Sequence, residues 1–179
     1  MIRKGYVKIT TMLRDGREAL LAIRVPGDII GELAAFSGQE RSATATACGS
    51  VIASSIPHGA LSSFLGRHPS ASQELTAAVG ERLTWANRRR LDSAEFRVDD
   101  RVARALAELV RLCGRRDRDG IVLAITLTQA ELASMVAASE AAVHKALRQL
   151  SDQGIIDTAY RAIIVIDPGR LAELAEQPE

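Results

Sequence analysis

The stretch LTQAELASMVAASEAAVHKALRQLSDQGIID, residues 127–157, decides the fold of the C-terminal half of the chain. Thr128 and Glu131 stand at the S/T-x-x-E spacing of a capping box, so a helix starts there. Leu132 and Val136 face inward from it, and Ala133 is small where a second helix must cross closely. Ala137 and Ala138 make the turn, and Ser139 is a natural N-cap for the next helix. That helix buries Val143, Ala146, Leu147 and Leu150, and Gly154 stops it. Two short helices joined through such a turn form a helix-turn-helix. The second one turns Glu140, Ala141, His144, Lys145 and Arg148 outward, where a DNA major groove can meet them. A purely structural helical hairpin would share this spacing. The segments that follow, GIIDTAY (154–160) and RAIIVID (161–167), read as a β-hairpin wing and favour DNA.

Upstream of this stretch, Val98-Asp99-Asp100 opens a helix with an acidic pair at its start, as the macrodipole prefers. Its apolar face falls at positions 102, 106, 109, 110 and 113. RRDRDG (115–120) reads as a solvated charged loop and IVLAITL (121–127) as a strand. Further back, a long helix opens at His68-Pro69-Ser70 and runs to about Phe96. On it Leu75, Val79, Leu83 and Ala86 form a narrow apolar seam, better suited to a second copy than to a broad core. A shorter helix covers residues 61–65 and ends near Gly66. Before Pro57 the pattern is β: GYVKITTML (5–13) and EALLAIRV (18–25) flank RDGR (14–17), whose Asp-Gly suits a tight hairpin. VPGD (25–28) fits a type II turn, and SATATAC (42–48) and SVIASSI (50–56) read as strands joined through Gly49. The fold class is α+β: a partial β-roll in residues 1–66, a dimerisation helix in 67–97, and a winged helix-turn-helix in 98–179.

Composition narrows the function. Of 179 residues, 47% are hydrophobic and 25% charged, a globular balance, with net charge +1. Residues 1–98 carry 13 Lys and Arg against 9 Asp and Glu, and residues 99–179 carry 10 against 13. Neither half is basic enough to announce nucleic acid unaided, so DNA binding must rest on local charge. Cys48 and Cys113 lie far apart with no C-x-x-C spacing, and both read as reduced, small apolar residues. No apolar run approaches the roughly 18 residues of a membrane span, and the start MIRKGYVKIT has no signal-peptide core. A cytoplasmic protein without a metal site is expected. No nucleophile–base constellation, metal-ligand cluster or P-loop appears, so an enzyme is not expected.

The order of these parts resembles the bacterial family of cyclic-AMP receptor protein and the fumarate-nitrate regulators. The likeness is densest in PGDIIGELAAFSGQERSATATA (26–47) and LTQAELASMVAASEAAVHKAL (127–147). The resemblance implies that Gly31 and Glu32 start a phosphate-binding cassette, with the Glu32 carboxylate accepting from a ribose 2′-hydroxyl. It implies that Arg41 and Ser42 hold a cyclic phosphate, a role an arginine fork fits. A surface ion pair of Arg41 with Glu40 or Glu32 is the alternative. Arg82 falls where the family keeps an arginine near the ligand and that glutamate. Ala86-Asn87 stands where cyclic-AMP sensors usually have Thr-Ser or Thr-Asn. Asn87 retains a hydrogen-bonding amide, whereas Ala86 has none to offer an adenine. The DNA contacts implied are Thr128, Gln129, Ser139, Glu140, Ala141, His144, Lys145 and Arg148. At the reading helix many members have an Arg-Glu pair and then an arginine, but this chain has Glu140, Ala141 and Lys145. The operator is therefore not carried over. The implied partners are double-stranded DNA, a second copy and RNA polymerase, and the implied effector is a cyclic nucleotide such as cyclic AMP, with no other cofactor. The cysteines of the iron–sulfur branch are absent, and His58, His68 and His144 are lone rings without a haem site. The family's first β-roll strands have no counterpart, so the chain resembles a member shortened at its N-terminus. A ligand-independent regulator with a vestigial sensor is the alternative reading.

Overall fold

The computed structural model describes residues 1–159 and 162–176. Three antiparallel strands open the chain: β1 (Ile2–Met12), β2 (Glu18–Arg24) and β3 (Thr44–Ala53), in sheet order β2-β1-β3. The 14–17 turn joins the first two, with Leu13 N–H donating to the Arg17 carbonyl at 2.8 Å. The type II turn at 25–28 forms as expected, with Gly27 at φ 98° and the Asp28 N–H on the Val25 carbonyl at 3.0 Å. Two details differ from the sequence expectation. The first strand begins at Ile2 rather than residue 5, and 42–48 and 50–56 merge into the single strand β3, which passes through Gly49. The cause lies across the sheet. Gly5 adopts φ 84°, and a Cβ there would run into the Ser50 carbonyl, so paired irregularities let both strands continue.

Helix α1 (Glu32–Ser37) lies between β2 and β3, and α2 (His58–Arg67) follows the sheet, longer than the expected 61–65. Helix α3 (Pro69–Glu95) matches its expected span, with Pro69 at the first turn where its missing N–H costs nothing. No residue of α3 is fully buried. Leu75 and Val79 are half-buried, whereas Leu83 and Leu91 are 62% and 57% exposed.

Helix α4 (Val98–Cys113) carries Val102, Leu106, Leu109 and Cys113 at 1% exposure or less. Val110, expected on that face, is half-buried. The charged loop expected at 115–120 instead contains β4 (Gly114–Asp117), which pairs with β5 (Gly120–Leu123), and β5 is shorter than the 121–127 expected. β4 is the sheet's edge, so its arginines can face solvent while the backbone still pairs. Next come α5 (Gln129–Met135), α6 (Glu140–Asp152), β6 (Ile156–Ala159) and β7 (Ala162–Val165), giving a sheet ordered β4-β5-β7-β6. The wing is therefore an antiparallel hairpin, and Tyr160 and Arg161 of the expected 154–160 and 161–167 segments lie outside the described residues. A last helix, α7 (Pro168–Glu176), was not anticipated; it seats Leu171, 1% exposed, against the core that α4 organises.

That core reaches into the N-terminal sheet. Leu20 and Ile23 of β2 belong to the same buried cluster as Leu106, Leu132, Val143 and Ile155. Cys113 is buried and Cys48 half-buried, both as free thiols, and burial pushes Cys113 up to about 11. Among the described residues no helix is long and apolar enough to cross a membrane.

Candidate effector pocket and nucleic-acid interface

The cassette is built on Gly31, which caps α1 at φ 85°. This left-handed conformation suits glycine, and a Cβ there would run into the Arg41 guanidinium, which lies directly over it. Glu32 follows, 6% exposed, and its Oε1 accepts from Arg82 Nη1 at 2.5 Å. The other Arg82 nitrogen donates to Asp28 Oδ1 and to the Ile29 carbonyl, both at 3.0 Å. One guanidinium of α3 thus joins two carboxylates and a backbone oxygen of residues 28–32. Glu32 pairs with Arg82, and among the described residues no ion pair joins Arg41 to Glu32 or Glu40. Arg41 and Ser42 are exposed, and the Ser42 carbonyl accepts from Thr11 Oγ1 at 3.4 Å.

Asn87 is not brought to this cluster within one chain. At about 100° per residue it is rotated roughly 140° around α3 from Arg82, and both it and Ala86 are exposed. Asp28 and Arg24 were missed by sequence reasoning. Asp28 is fixed by its turn, its carboxylate also accepting the Val25 N–H at 2.9 Å. Burial, then the neighbouring Arg82 charge, holds Arg24 below the usual guanidinium range. His58 and His68 lie against Phe36 and Phe64 at centroid distances of 5.8 and 4.4 Å. No group of three or more His, Cys, Asp or Glu residues suited to a metal occurs among the described residues.

At the other end, the capping box forms on both sides. Thr128 Oγ1 accepts from Glu131 N at 3.1 Å and Thr128 N donates to Glu131 Oε2 at 2.8 Å. Ser139 Oγ accepts the Ala142 N–H at 3.2 Å, so α6 starts where expected. Between the helices Ala137 holds φ 51°, and Arg101 of α4 donates to the Val136 and Ala137 carbonyls at 2.8 and 3.2 Å. That brace has no signature in the helix-turn-helix stretch itself. Val143, Ala146, Leu147 and Leu150 are buried, and Glu140, Ala141, His144, Lys145 and Arg148 are exposed, as are Thr128, Gln129 and Ser139. A helix with one face locked in a core and the other free, beside a β wing, can enter a major groove.

A cassette tied to a long helix, followed by a winged helix-turn-helix, defines a DNA-binding transcription regulator that carries a cyclic nucleotide-binding domain. Residues 1–68 match the cyclic nucleotide-binding domain family, and residues 100–174 match the Crp-like helix-turn-helix domain. The chain is 34% identical over 98% of its length to a CRP-like cAMP-activated global transcriptional regulator of Mycobacterium tuberculosis, covering 78% of that protein. It is 29% identical over 92% of its length to the cAMP-activated global transcriptional regulator CRP of Escherichia coli, again covering 78%. Among solved structures it is similar to a CRP/FNR-family transcriptional regulator of Thermus thermophilus, with TM-score 0.83 and 29% identity over 99% of this chain and 87% of that one. The chain belongs to the CRP/FNR family.

Proposed function

We propose that the chain is a dimeric regulator gated by a cyclic nucleotide bound at the cassette. The observation that carries this reading is the Gly31–Glu32–Arg82 junction, with Arg41 exposed above it. Arg41 and Ser42 would hold the cyclic phosphate. Arg82 is bonded to Oε1 of Glu32, and a ribose hydroxyl would take the remaining oxygen. Because Arg82 belongs to α3, whatever rearranges the cassette also acts on that helix. Gating is then a population shift in which ligand favours one arrangement of paired α3 helices, and so one spacing of two α6 helices on DNA. The relatives' names, cAMP-activated regulators, support cyclic AMP as the first effector to test. A cytoplasmic setting, the operator as partner and contact with RNA polymerase complete the reading. The contacts on DNA would come from Thr128, Gln129, Ser139, Glu140, Ala141, His144, Lys145 and Arg148.

Calorimetry with cyclic AMP and cyclic GMP tests the pocket. A charge-assisted contact is worth about 1.5–3 kcal/mol, so Arg41→Ala should weaken binding at least about tenfold. Identical titration curves for the two proteins would reject Arg41 as the phosphate ligand. A second reading, a vestigial sensor that needs no effector, is favoured by Ala86, which offers adenine no hydrogen bond. Absence of heat with the wild type would favour it.

A further inference from the structure

Strand β2 is an edge of its sheet, and an edge strand exposes N–H groups that need partners. One of them, on Leu20, donates to Ser134 Oγ of α5 at 2.9 Å. The Ser134 hydroxyl donates its own hydrogen bond to the Glu131 carbonyl at 2.8 Å, which leaves its lone pairs to Leu20. Next to it, Lys8 Nζ of β1 lies 2.5 Å from Glu131 Oε1, with side-chain exposures of 16% and 19%. The same carboxylate, through Oε2, accepts the Thr128 N–H that starts α5. One glutamate thus both begins the first helix of the DNA-reading head and fastens that head to the sensor sheet. Leu20 and Ile23, 2% and 5% exposed, belong to the same buried cluster as Leu132 and Met135 of α5. Lys8 sits opposite Thr46 of β3, the strand into which Arg41 and Ser42 lead, so one strand separates the cassette from the fastening. In this setting His144, Lys145 and Arg148 are all exposed.

We propose that the β1–β2 hairpin is a latch that holds the reading head in its DNA-competent setting, fastened by Lys8–Glu131 and Leu20–Ser134. The proposal rests on the DNA-reading assignment of α6. A head that is already oriented binds without first being ordered, and a loosened head loses apparent affinity in proportion to the competent fraction. Lys8 and Glu131 are positioning residues, because neither need touch DNA to act this way.

Two variants separate the latch from local stability. Lys8→Met keeps the aliphatic stem, and Glu131→Gln keeps the capping box, which accepts Gln as well as Glu. Both remove the ion pair. In the whole chain without DNA, the Leu20 amide should exchange with solvent about fivefold faster in either variant. On a duplex that the wild type selects from a random pool, each variant should lose about fivefold in affinity, the low end of ordinary coupling between sites. The double variant should be no worse than either single one, because all three break one interaction. An unchanged Leu20 amide in both single variants overturns the latch, whatever DNA does. Faster exchange with equal or tighter DNA binding overturns its assignment to the competent setting. A wild type that selects no duplex rejects the DNA-reading assignment and the competent setting with it, while the amide result still decides whether the fastening exists.

Discussion

At the cassette, a single hydrogen atom decides what the backbone can do. Gly31 turns left-handed under the Arg41 guanidinium, so Gly31→Ala adds both a strained conformation and a collision. The conformation alone costs about 1–2 kcal/mol. Urea denaturation should show a loss of that size, and nucleotide affinity should fall with it because Arg41 must move. Equal stability would show that the turn does not need glycine. Glu108 offers a test through pH. It lies beside α3, accepting from Trp85 Nε1, and burial raises its carboxyl above the ordinary value of 4.5 despite the opposing Trp85 bond and the Arg89, Arg111 and Arg88 charges. A raised carboxyl binds its proton more tightly in the folded chain, so its contribution is full below 4.5 and is lost as pH rises through the raised value. Glu108→Gln keeps an acceptor for Trp85 and removes this loss. Its stability should therefore gain on the wild type as pH rises above the ordinary carboxyl value of 4.5, and parallel pH–stability curves would refute the assignment. Residues differ in how legible they were. Glu32 and Arg41 stand in a short, patterned stretch. Asp28 and Arg24 join the cluster only because a turn and α3 bring Arg82 to them, and such proximity leaves no local pattern.

Elements were easiest to read where one signal governs them alone. The capping box, Ser139 and the apolar rhythm of α6 set the helix-turn-helix in place, and Pro69 with the long seam set α3. Strand limits were harder. β3 runs through Gly49 because β1 makes room at Gly5, a cross-strand fact, and β4 forms from a charged run because an edge strand tolerates exposed arginines. α7 was legible and overlooked: Asp167 accepts the Arg170 N–H at 2.9 Å ahead of Pro168, an N-cap followed by proline. The seam on α3 divides in two, since Leu75 and Val79 are half-buried at home while Leu83 and Ala86 stay exposed. If the exposed portion pairs with a second copy, Leu83→Glu sets a charge against its symmetry mate. Light scattering should then find monomers where the parent gives dimers, with the helix content of both unchanged. A parent that remains monomeric at high concentration would remove the seam from the reading.

Across the whole molecule, Leu20 and Ile23 of the cyclic nucleotide-binding domain join the core of the DNA-binding domain, a feature hidden from a reading that proceeds segment by segment. Charge is just as uneven at this scale. Residues 99–179 hold 10 Lys and Arg against 13 Asp and Glu, so DNA affinity must come from the few cations that α6 and its surroundings turn outward. Lys145 and Arg148 are exposed three residues apart on α6 and so project in nearly the same direction. A lysine there either neutralises a phosphate or reads a base edge, and the outcomes differ. As a phosphate contact, Lys145→Ala would weaken all sequences alike and flatten the salt slope by about one unit. As a base contact, the loss would be about 1–3 kcal/mol and confined to the preferred site. The second outcome is expected, because the family resemblance places a base-reading arginine at this position. Glu140 supplies the linked test. It opens α6, exposed, where a carboxylate repels phosphate and can accept from cytosine N4 but cannot read guanine through paired donors. Glu140→Arg should raise affinity for any duplex and also change which one is preferred. Binding sites selected from a random pool by the parent and both variants measure this directly, and an identical preferred site for all three would show that α6 does not read sequence.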